Sequence, residues 1–184
     1  MSRETTKARA RRDRSPQYDF LKTGRGIDIG CGDDPVNDRC LRWDVGMGDA
    51  QILDGVPLDY FDWVYSSHCL EHLPDPAAAL GRWWETVAPG GFLLVAVPDE
   101  DLYEQGEWPS RYNPDHRHTF TESKERSWSP VSVNLRALAA SLPGSDWYTV
   151  TLCDGGYDYG GGAWDRTRGD AEAHLELLAR KKSP

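Results

Sequence analysis

The fold is decided by the stretch Gly26-Ile27-Asp28-Ile29-Gly30-Cys31-Gly32-Asp33-Asp34. Its first half is a short, largely apolar run and its second half is a glycine-rich turn, which together predict a buried strand that ends abruptly. Glycines allow a sharp turn and let the backbone approach a ligand closely. The three acids would repel a phosphate, and the turn has no Lys or Arg to bind one. The stretch therefore favours a cationic ligand.

Strands and helices alternate on the C-terminal side of this turn. Leu41–Val45 and Phe61–Ser66 are predicted strands, and Asp75-Pro76 is typical of a helix start. The continuous apolar run Phe92–Pro98 then indicates a strand buried on both faces. Strand, helix and buried strand in this order form a parallel βαβ unit. We therefore expect an α/β fold with a Rossmann-like, doubly wound sheet.

Two long irregular segments interrupt the C-terminal half. Residues 99–130 are polar and aromatic, and residues 154–170 are rich in glycine and lie between predicted strands at 147–152 and 174–179. Loops of this length are usually functional or mobile. Both should emerge at the C-terminal edge of the sheet, where open α/β folds bind ligands. We expect them to form lids over a site.

Charge is distributed unevenly along the 184 residues, which suit one domain. Residues 1–25 hold eight Lys or Arg and three acids, a balance of +5; residues 26–184 hold thirteen and twenty-seven, a balance of −14. We expect residues 1–16 to be a flexible basic arm and residues 17–184 to be a single domain. The acidic domain would repel the phosphate backbone of a nucleic acid, so we do not expect the domain to bind nucleic acid.

The cellular compartment of the protein is indicated by features that the sequence lacks. There is no apolar run of 18 residues and no apolar stretch after the basic N-terminus, so neither a membrane span nor a signal peptide is expected. The four cysteines form no CxxC pair. Reduced thiols in the cytoplasm are the simplest interpretation.

Two further acids suit a cationic nucleoside ligand. Asp44 ends the second predicted strand, where it can accept both ribose hydroxyls, as acids do in dinucleotide sites. Asp49-Ala50 can present a carboxylate to an adenine amino group and a backbone N–H to a ring nitrogen. S-adenosylmethionine combines such a nucleoside with a sulfonium and an ammonium, and is the predicted cofactor.

Taken in order, these motifs resemble a known family. The motifs Asp28–Gly32, Asp44, Asp49-Ala50, Ser66–Leu73 and Pro89–Gly91 are similar to those of class I S-adenosylmethionine-dependent methyltransferases, especially a small group with an S-H-x-L-E-H-L pattern. The similarity runs from about Tyr18 to Pro98, with an echo at His116–Thr121.

The resemblance implies a seven-stranded, mostly parallel sheet whose last strand is antiparallel, with the cofactor across the C-terminal strand ends. The cofactor contacts that it implies are Tyr18, Asp28, Gly30, Cys31, Gly32, Asp44, Val45, Asp49, Ala50, Ser66 and Ser67. His68 and His118 are candidate bases, because histidine titrates near neutral pH. The acceptor atom is expected to be oxygen or nitrogen on a small molecule, a glycan or a protein, with the first two favoured.

Two other functions remain open. His68-Cys69-Leu70-Glu71-His72 matches H-x-x-E-H, the inverted zinc-protease motif, in which both histidines share one helix face. Here the motif follows a strand directly and Pro74 interrupts it, so no metal site is predicted. A non-catalytic module that binds the cofactor on the same fold is the second alternative.

Overall fold

The computed structural model describes residues 3–184. Among these residues, no helix is long and apolar enough to cross a bilayer. The helices are α1 (Glu4–Asp13), α2 (Pro76–Thr86) and α3 (Leu135–Ala140), with 3₁₀ turns at Pro16–Lys22, Leu70–His72 and Arg166–Arg168 and a π-helical turn at Glu100–Glu104. The strands are β1 (Gly26–Ile29), β2 (Leu41–Trp43), β3 (Phe61–Ser67), β4 (Val87–Pro98), β5 (Thr119–Thr121), β6 (Ser132–Asn134), β7 (Ser145–Cys153) and β8 (His174–Lys181).

The main sheet has the strand order β2-β1-β3-β4-β8-β7. β2, β1, β3 and β4 pair in parallel, whereas β8 is antiparallel to both β4 and β7. This confirms the Rossmann-like α/β fold and the antiparallel last strand. In the described residues this sheet has six strands where seven were expected, because residues 44–60 between β2 and β3 form turns without a strand. β5 and β6 form a separate parallel pair.

Helix α2 covers one face of the sheet, as the sequence pattern predicts. The Asp75 side chain accepts the Ala78 N–H (3.0 Å), and Pro76 occupies the first turn. Both indole rings are fully buried, with Trp83 Nε1 donating to Ala50 O (2.7 Å) and Trp84 Nε1 donating to Pro143 O (2.8 Å). A buried tryptophan needs such a partner for its N–H. The two tryptophans therefore pack α2 on the sheet and tie it to the loops at either end.

The opposite face is covered by the N-terminal segment, which is not the flexible arm that was expected. α1 packs against the sheet, and its Arg12 side chain is buried, donating to Glu176 Oε2 (2.7 Å) and to the Tyr65 hydroxyl (2.5 Å). Arg11 donates to Glu172 and Glu176. Glu176 is the third residue of β8 and is itself buried, so its charge requires a cation. The basic segment supplies that cation and is ordered by it.

The two predicted lid segments contact each other. The Tyr157 hydroxyl donates to Leu102 O (2.9 Å), and Gln105 Nε2 donates to Trp164 O (3.0 Å). Asp99 caps the π-helical turn by accepting the N–H groups of Asp101 and Leu102, both at 3.0 Å. The segments therefore share one cluster at the end of β4. That they close over a bound ligand stays a prediction.

Candidate functional site

The turn after β1 takes a conformation that favours glycine. Gly30 and Gly32 have φ angles of +74° and +50°, in the left-handed region that other residues avoid. The Gly30 N–H donates to Trp43 O (2.7 Å), which joins the turn to the end of β2. The Ser66 hydroxyl donates to Ile29 O (2.8 Å) from the β3 side. The turn is thus fixed by both neighbouring strands.

A cavity of about 350 Å³ opens at this turn, at the C-terminal ends of the parallel strands. This volume lies in the range of about 300–1,000 Å³ that is usual for small-molecule sites. Five of the predicted site residues line it, namely Gly30, Cys31, Gly32, Ser67 and His68. Two acids of the turn, Asp33 and Asp34, also line it. The start of α1 contributes Arg3, Glu4 and Thr5.

Asp44 is not among the residues that line this cavity, but its carboxylate contacts the glycine turn that does. Its Oδ2 accepts the Gly32 N–H (2.5 Å) and its Oδ1 accepts the Val45 N–H (2.7 Å). A carboxylate offers about four acceptor positions, so each oxygen of this half-buried side chain has a further one. The side chain therefore has the acceptor capacity expected of a ribose ligand while it holds the turn in place.

Asp28 and Ser66 lie beneath the turn, outside the cavity lining. Ser66 is buried, and its hydroxyl donates a hydrogen bond to Ile29 O. Asp28 is 1% exposed; its Oδ2 accepts the Val36 N–H (2.7 Å), and its Oδ1 has no hydrogen-bond partner among the described residues. Burial raises the pKa of Asp28 to about 7. Both residues act in this structure as supports of the loop.

The raised pKa of Asp28 predicts a pH dependence of stability. Between about pH 4 and pH 7 the folded protein retains a proton that the unfolded chain has released, so the stabilisation is complete below this window and is lost as the pH rises through it. Over the window the unfolding free energy of the wild type should fall, relative to Asp28→Asn, by about 1.4 kcal/mol per pH unit. Urea denaturation of both proteins across the window measures this difference. Parallel curves would contradict it.

Four further predicted cofactor contacts lie away from the cavity lining. The Tyr18 hydroxyl donates to buried Glu176 and its ring lines a different cavity. Val45 is 94% exposed beside Asp44. Asp49 accepts the Gln51 N–H (2.8 Å), and Ala50 O accepts the Trp83 indole N–H. In this structure these four residues, like Asp28, Asp44 and Ser66, do not line the same cavity as the glycine turn.

Of the two candidate bases, only His68 lines the cavity. Its φ is +53°, its N–H donates to Ala96 O (2.9 Å), and its Nδ1 lies 3.1 Å from Ser67 Oγ. Burial lowers the pKa of His68, which favours the neutral imidazole. His118 is elsewhere: its N–H donates to Glu71 O and its Nε2 lies 3.3 Å from Pro74 O. The lid backbone therefore directs this side chain away from the cavity.

The zinc-protease geometry is not formed by the H-x-x-E-H residues. Residues 70–72 are one 3₁₀ turn, and His68 precedes them in a left-handed conformation. His68 packs edge-on against His174 at 5.6 Å between ring centroids, whereas His72 packs against His116 at 5.0 Å. The two histidines of the motif therefore have different neighbours and do not share a helix face.

The residues that the sequence pattern missed are those of α1. Asp34 accepts the backbone N–H (2.9 Å) and the hydroxyl (2.5 Å) of Thr6, which fixes the start of α1 over the glycine turn. Arg3, Glu4 and Thr5 consequently complete the cavity wall. A signal was present in the buried β8 run, where Glu176 interrupts an apolar segment and requires a distant cation.

A second, larger cavity lies on the other side of α1. Its volume is about 820 Å³, and most of its lining comes from α1 and residues 33–42. It contains neither Gly30 nor Gly32, nor the end of β3. We assign the functional site to the smaller cavity, because ligands of open α/β sheets bind at the C-terminal strand ends.

Comparisons with known proteins show the family of the chain and the fold that it shares with solved structures. The sequence model of the methyltransferase domain family matches residues 2–128, more than half of the chain. A 52-residue stretch is 47% identical to trans-aconitate 2-methyltransferase of Deinococcus radiodurans, and it covers 28% of this chain and 19% of that protein. The chain thus spans about a fifth of the length of this curated relative.

Solved structures are similar over nearly the whole chain. A S-adenosylmethionine-dependent methyltransferase of Thermotoga maritima, described as a possible histamine N-methyltransferase, has a TM-score of 0.60 at 17% identity, with 96% of this chain and 88% of that chain covered. A S-adenosylmethionine-dependent methyltransferase of Archaeoglobus fulgidus has a TM-score of 0.59 at 19% identity, with 98% and 95% covered. The chain belongs to the methyltransferase domain family and has the fold of S-adenosylmethionine-dependent methyltransferases.

Proposed function

We propose that the protein transfers the methyl group of S-adenosylmethionine to an oxygen or nitrogen atom of a small-molecule or glycan acceptor. The observation that carries the proposal is the cavity itself, where a glycine turn braced by Asp44 meets a half-buried histidine at the end of β3. When bound, the cofactor supplies an electrophilic methyl group on a sulfonium. The protein contributes position, charge and a proton acceptor.

The cofactor would be held by the backbone of the turn and by its acids. Gly30 and Gly32 have no side chains, so a ligand can approach the main chain at these two positions. The acceptor positions of Asp44 that remain free suit the ribose hydroxyls. Asp33, which is exposed at the cavity, favours the positive charges of the ligand.

His68 is the proposed proton acceptor. A lowered pKa keeps its imidazole neutral near pH 7, and Ser67 lies within hydrogen-bonding distance of Nδ1 and can orient the ring. A left-handed backbone at a residue other than glycine is strained, and such strain is concentrated at functional sites. A neutral imidazole at this place suits removal of a proton from a hydroxyl or an ammonium group.

The acceptor would enter beside the two lid segments. His174 follows the segment 154–170 and contacts His68 directly, so this loop leads into the cavity wall. We propose that residues 99–130 and 154–170 close over the acceptor. Hydrogen exchange with and without cofactor tests this, since the free segments should exchange faster than β3 and β4.

The substrate in the name of the Deinococcus relative is not carried over, because that match covers only 28% of this chain.

Calorimetry and an acceptor panel test the proposed function. Titration with S-adenosylmethionine and with its demethylated product should show one site per chain, and mass spectrometry should detect a methylated product from at least one hydroxyl or amine acceptor. Binding without turnover across the panel would favour a non-catalytic cofactor-binding module. No binding of either compound by the folded protein would reject the proposal.

The role of Asp44 has a quantitative test. Asp44→Ala should weaken cofactor binding by about 1.5–3 kcal/mol, the range for hydrogen bonds to a charged group. Asp54→Ala is the matched control, because Asp54 is an exposed acid on the same loop outside both cavities. Equal dissociation constants for the two folded variants would show that Asp44 is not a ribose ligand.

A further inference from the structure

We propose that Glu71, His72 and His116 form a binding site for a divalent transition-metal ion, with zinc as the best-matched ion. These three residues, called here the Glu71 cluster, offer one carboxylate oxygen and two imidazole nitrogens within 4.8 Å of one another. Two residues of the sequence motif at 68–72 take part, and His116 from the lid segment takes the place of His68. The sequence alone predicted no metal here.

The carboxylate of Glu71 is the first observation. The side chain is 1% exposed, and neither oxygen has a hydrogen-bond partner among residues 3–184. A buried carboxylate without partners is strongly unfavourable unless a cation neutralises it. The Glu71 backbone is meanwhile fixed, since its carbonyl accepts the N–H groups of Arg117 and His118 at 2.9 and 3.2 Å. This arrangement holds His116 over the carboxylate.

The orientation of the two imidazoles is the second observation. The Nε2 atoms of His72 and His116 lie 3.8 and 3.9 Å from Glu71 Oε1. Their Nδ1 atoms are occupied, that of His72 by Asp115 O at 3.1 Å and that of His116 by Glu104 Oε1 at 2.6 Å. A backbone carbonyl or carboxylate at Nδ1 fixes the proton there and leaves Nε2 as a lone pair, which is the usual arrangement of metal-binding histidines.

The local charge is the third observation. Glu71 and Glu104 are both 1% exposed, and in the described chain neither forms an ion pair with a lysine or an arginine. With two neutral imidazoles the group would carry two negative charges, which one divalent ion balances.

Two other clusters have metal-binding residue types but are already balanced. Glu4, near His68 and His174, pairs with Lys7 at 2.8 Å. Glu172, near Cys153 and His174, pairs with Arg11 at 3.0 Å. Only in the Glu71 cluster, among the clusters of the described residues, does the carboxylate lie beside two histidines with no lysine or arginine paired to it.

The ligand set selects the kind of ion. Two histidines and one glutamate are a zinc set that leaves a fourth position for water or another oxygen ligand. Zinc lies about 2.0–2.2 Å from nitrogen and oxygen ligands, which places tetrahedral ligand atoms about 3.3–3.6 Å apart. The separations of 3.8 and 3.9 Å would therefore shorten by a few tenths of an ångström when zinc binds. Calcium and magnesium prefer sites made of oxygen ligands alone.

Zinc binding is tested on the full-length chain after treatment with a chelator and dialysis. With zinc alone as the probe, wild type should take up one ion per chain and gain thermal stability, and cobalt should give the absorption of a tetrahedral complex. Glu104→Gln, which alters only the Nδ1 partner of His116, should lower zinc affinity by about 10–100-fold. Glu71→Gln and His116→Ala should lower it further. His72→Ala changes a partly exposed side chain and serves if the buried variants do not fold.

Two controls decide the location of the ion. His118→Ala removes a histidine two residues from His116 and should leave zinc binding unchanged. Cys153→Ser should also leave it unchanged. The proposal is overturned if folded wild type takes up no stoichiometric zinc, if Glu71→Gln and His72→Ala bind it like wild type, or if Cys153→Ser abolishes binding. Each readout is independent of methyl transfer, so failure here is distinct from failure of the proposed function.

Discussion

Replacing Glu176 with glutamine is expected to lower the free energy of unfolding by about 3–5 kcal/mol, the range for removing one partner of a buried ion pair. Glu176 is 2% exposed and accepts hydrogen bonds from Arg11, Arg12 and the Tyr18 hydroxyl. Glutamine keeps the size of the side chain but removes the charge. Arg12, 4% exposed, would then be a buried cation without its carboxylate.

The same residue gives the expected loss a pH signature. Burial alone would raise the pKa of Glu176, but Arg12 and Arg11 hold it at about 2. Its folded pKa is thus below the unfolded value of 4.5, so its stabilisation is present above that value and is lost as the pH falls towards 2. Glu176→Gln should lack this part of the acid dependence.

Urea denaturation followed by tryptophan fluorescence measures both effects. Glu85→Gln is the matched control, because Glu85 pairs with Arg82 at 3.8 Å on the exposed surface of α2. Exposed pairs contribute about 0–1 kcal/mol, so this control should change stability little. A loss of similar size in the two variants would contradict the role assigned to the buried pair.

The central strands and α2 could be predicted because their signals are local. The glycine turn follows β1 within the same few residues, and the continuous apolar run of β4 is visible without knowledge of its neighbours. Asp75 and Pro76 define the start of α2. Each of these features depends on residues that are close in sequence, where propensity and periodicity apply.

Helix α1 could not be predicted in this way. Its residues are mostly polar, and its order depends on a carboxylate more than 160 positions later in the chain. The sequence pattern treats such a segment as a solvated tail. Only the pairing of a buried glutamate in β8 with arginines of the N-terminus makes it part of the domain. The position of α1 is therefore determined by tertiary contacts and not by helix propensity.

The residues of the site also divide into those that local sequence predicts and those whose positions depend on tertiary contacts. Gly30, Gly32 and His68 are motif residues at strand ends, and in this structure they line one cavity. The position of His118 depends on the path of a long irregular segment, for which the sequence contains no periodic signal. The Glu71 cluster depends on the same path, so its third ligand could be identified only in three dimensions.

Gly30→Ala is expected to destabilise the protein by about 2–5 kcal/mol, the sum of overpacking and of a left-handed backbone in a residue other than glycine. A Cβ at this position would lie 2.5 Å from Sγ and 2.6 Å from Cβ of Cys69, which is buried at the end of β3. To accommodate it, either the turn or the end of β3 must move. Because both form the cavity wall, cofactor affinity should fall with stability.

Two glycines separate the contributions. Gly55 has nearly the same φ, +76°, and open space around its missing Cβ, so Gly55→Ala measures the backbone contribution alone, about 1–2 kcal/mol. Gly46 has open space and no positive φ, so Gly46→Ala should leave stability nearly unchanged. Denaturation curves and calorimetry with S-adenosylmethionine then compare the stability and the cofactor affinity of Gly30→Ala with those of the two control variants. If Gly30→Ala loses no more stability than Gly55→Ala and binds cofactor as wild type does, the close approach of the turn to Cys69 is not what shapes the site. If it loses more stability and binds weakly, the packing of this turn against β3 forms the cofactor pocket.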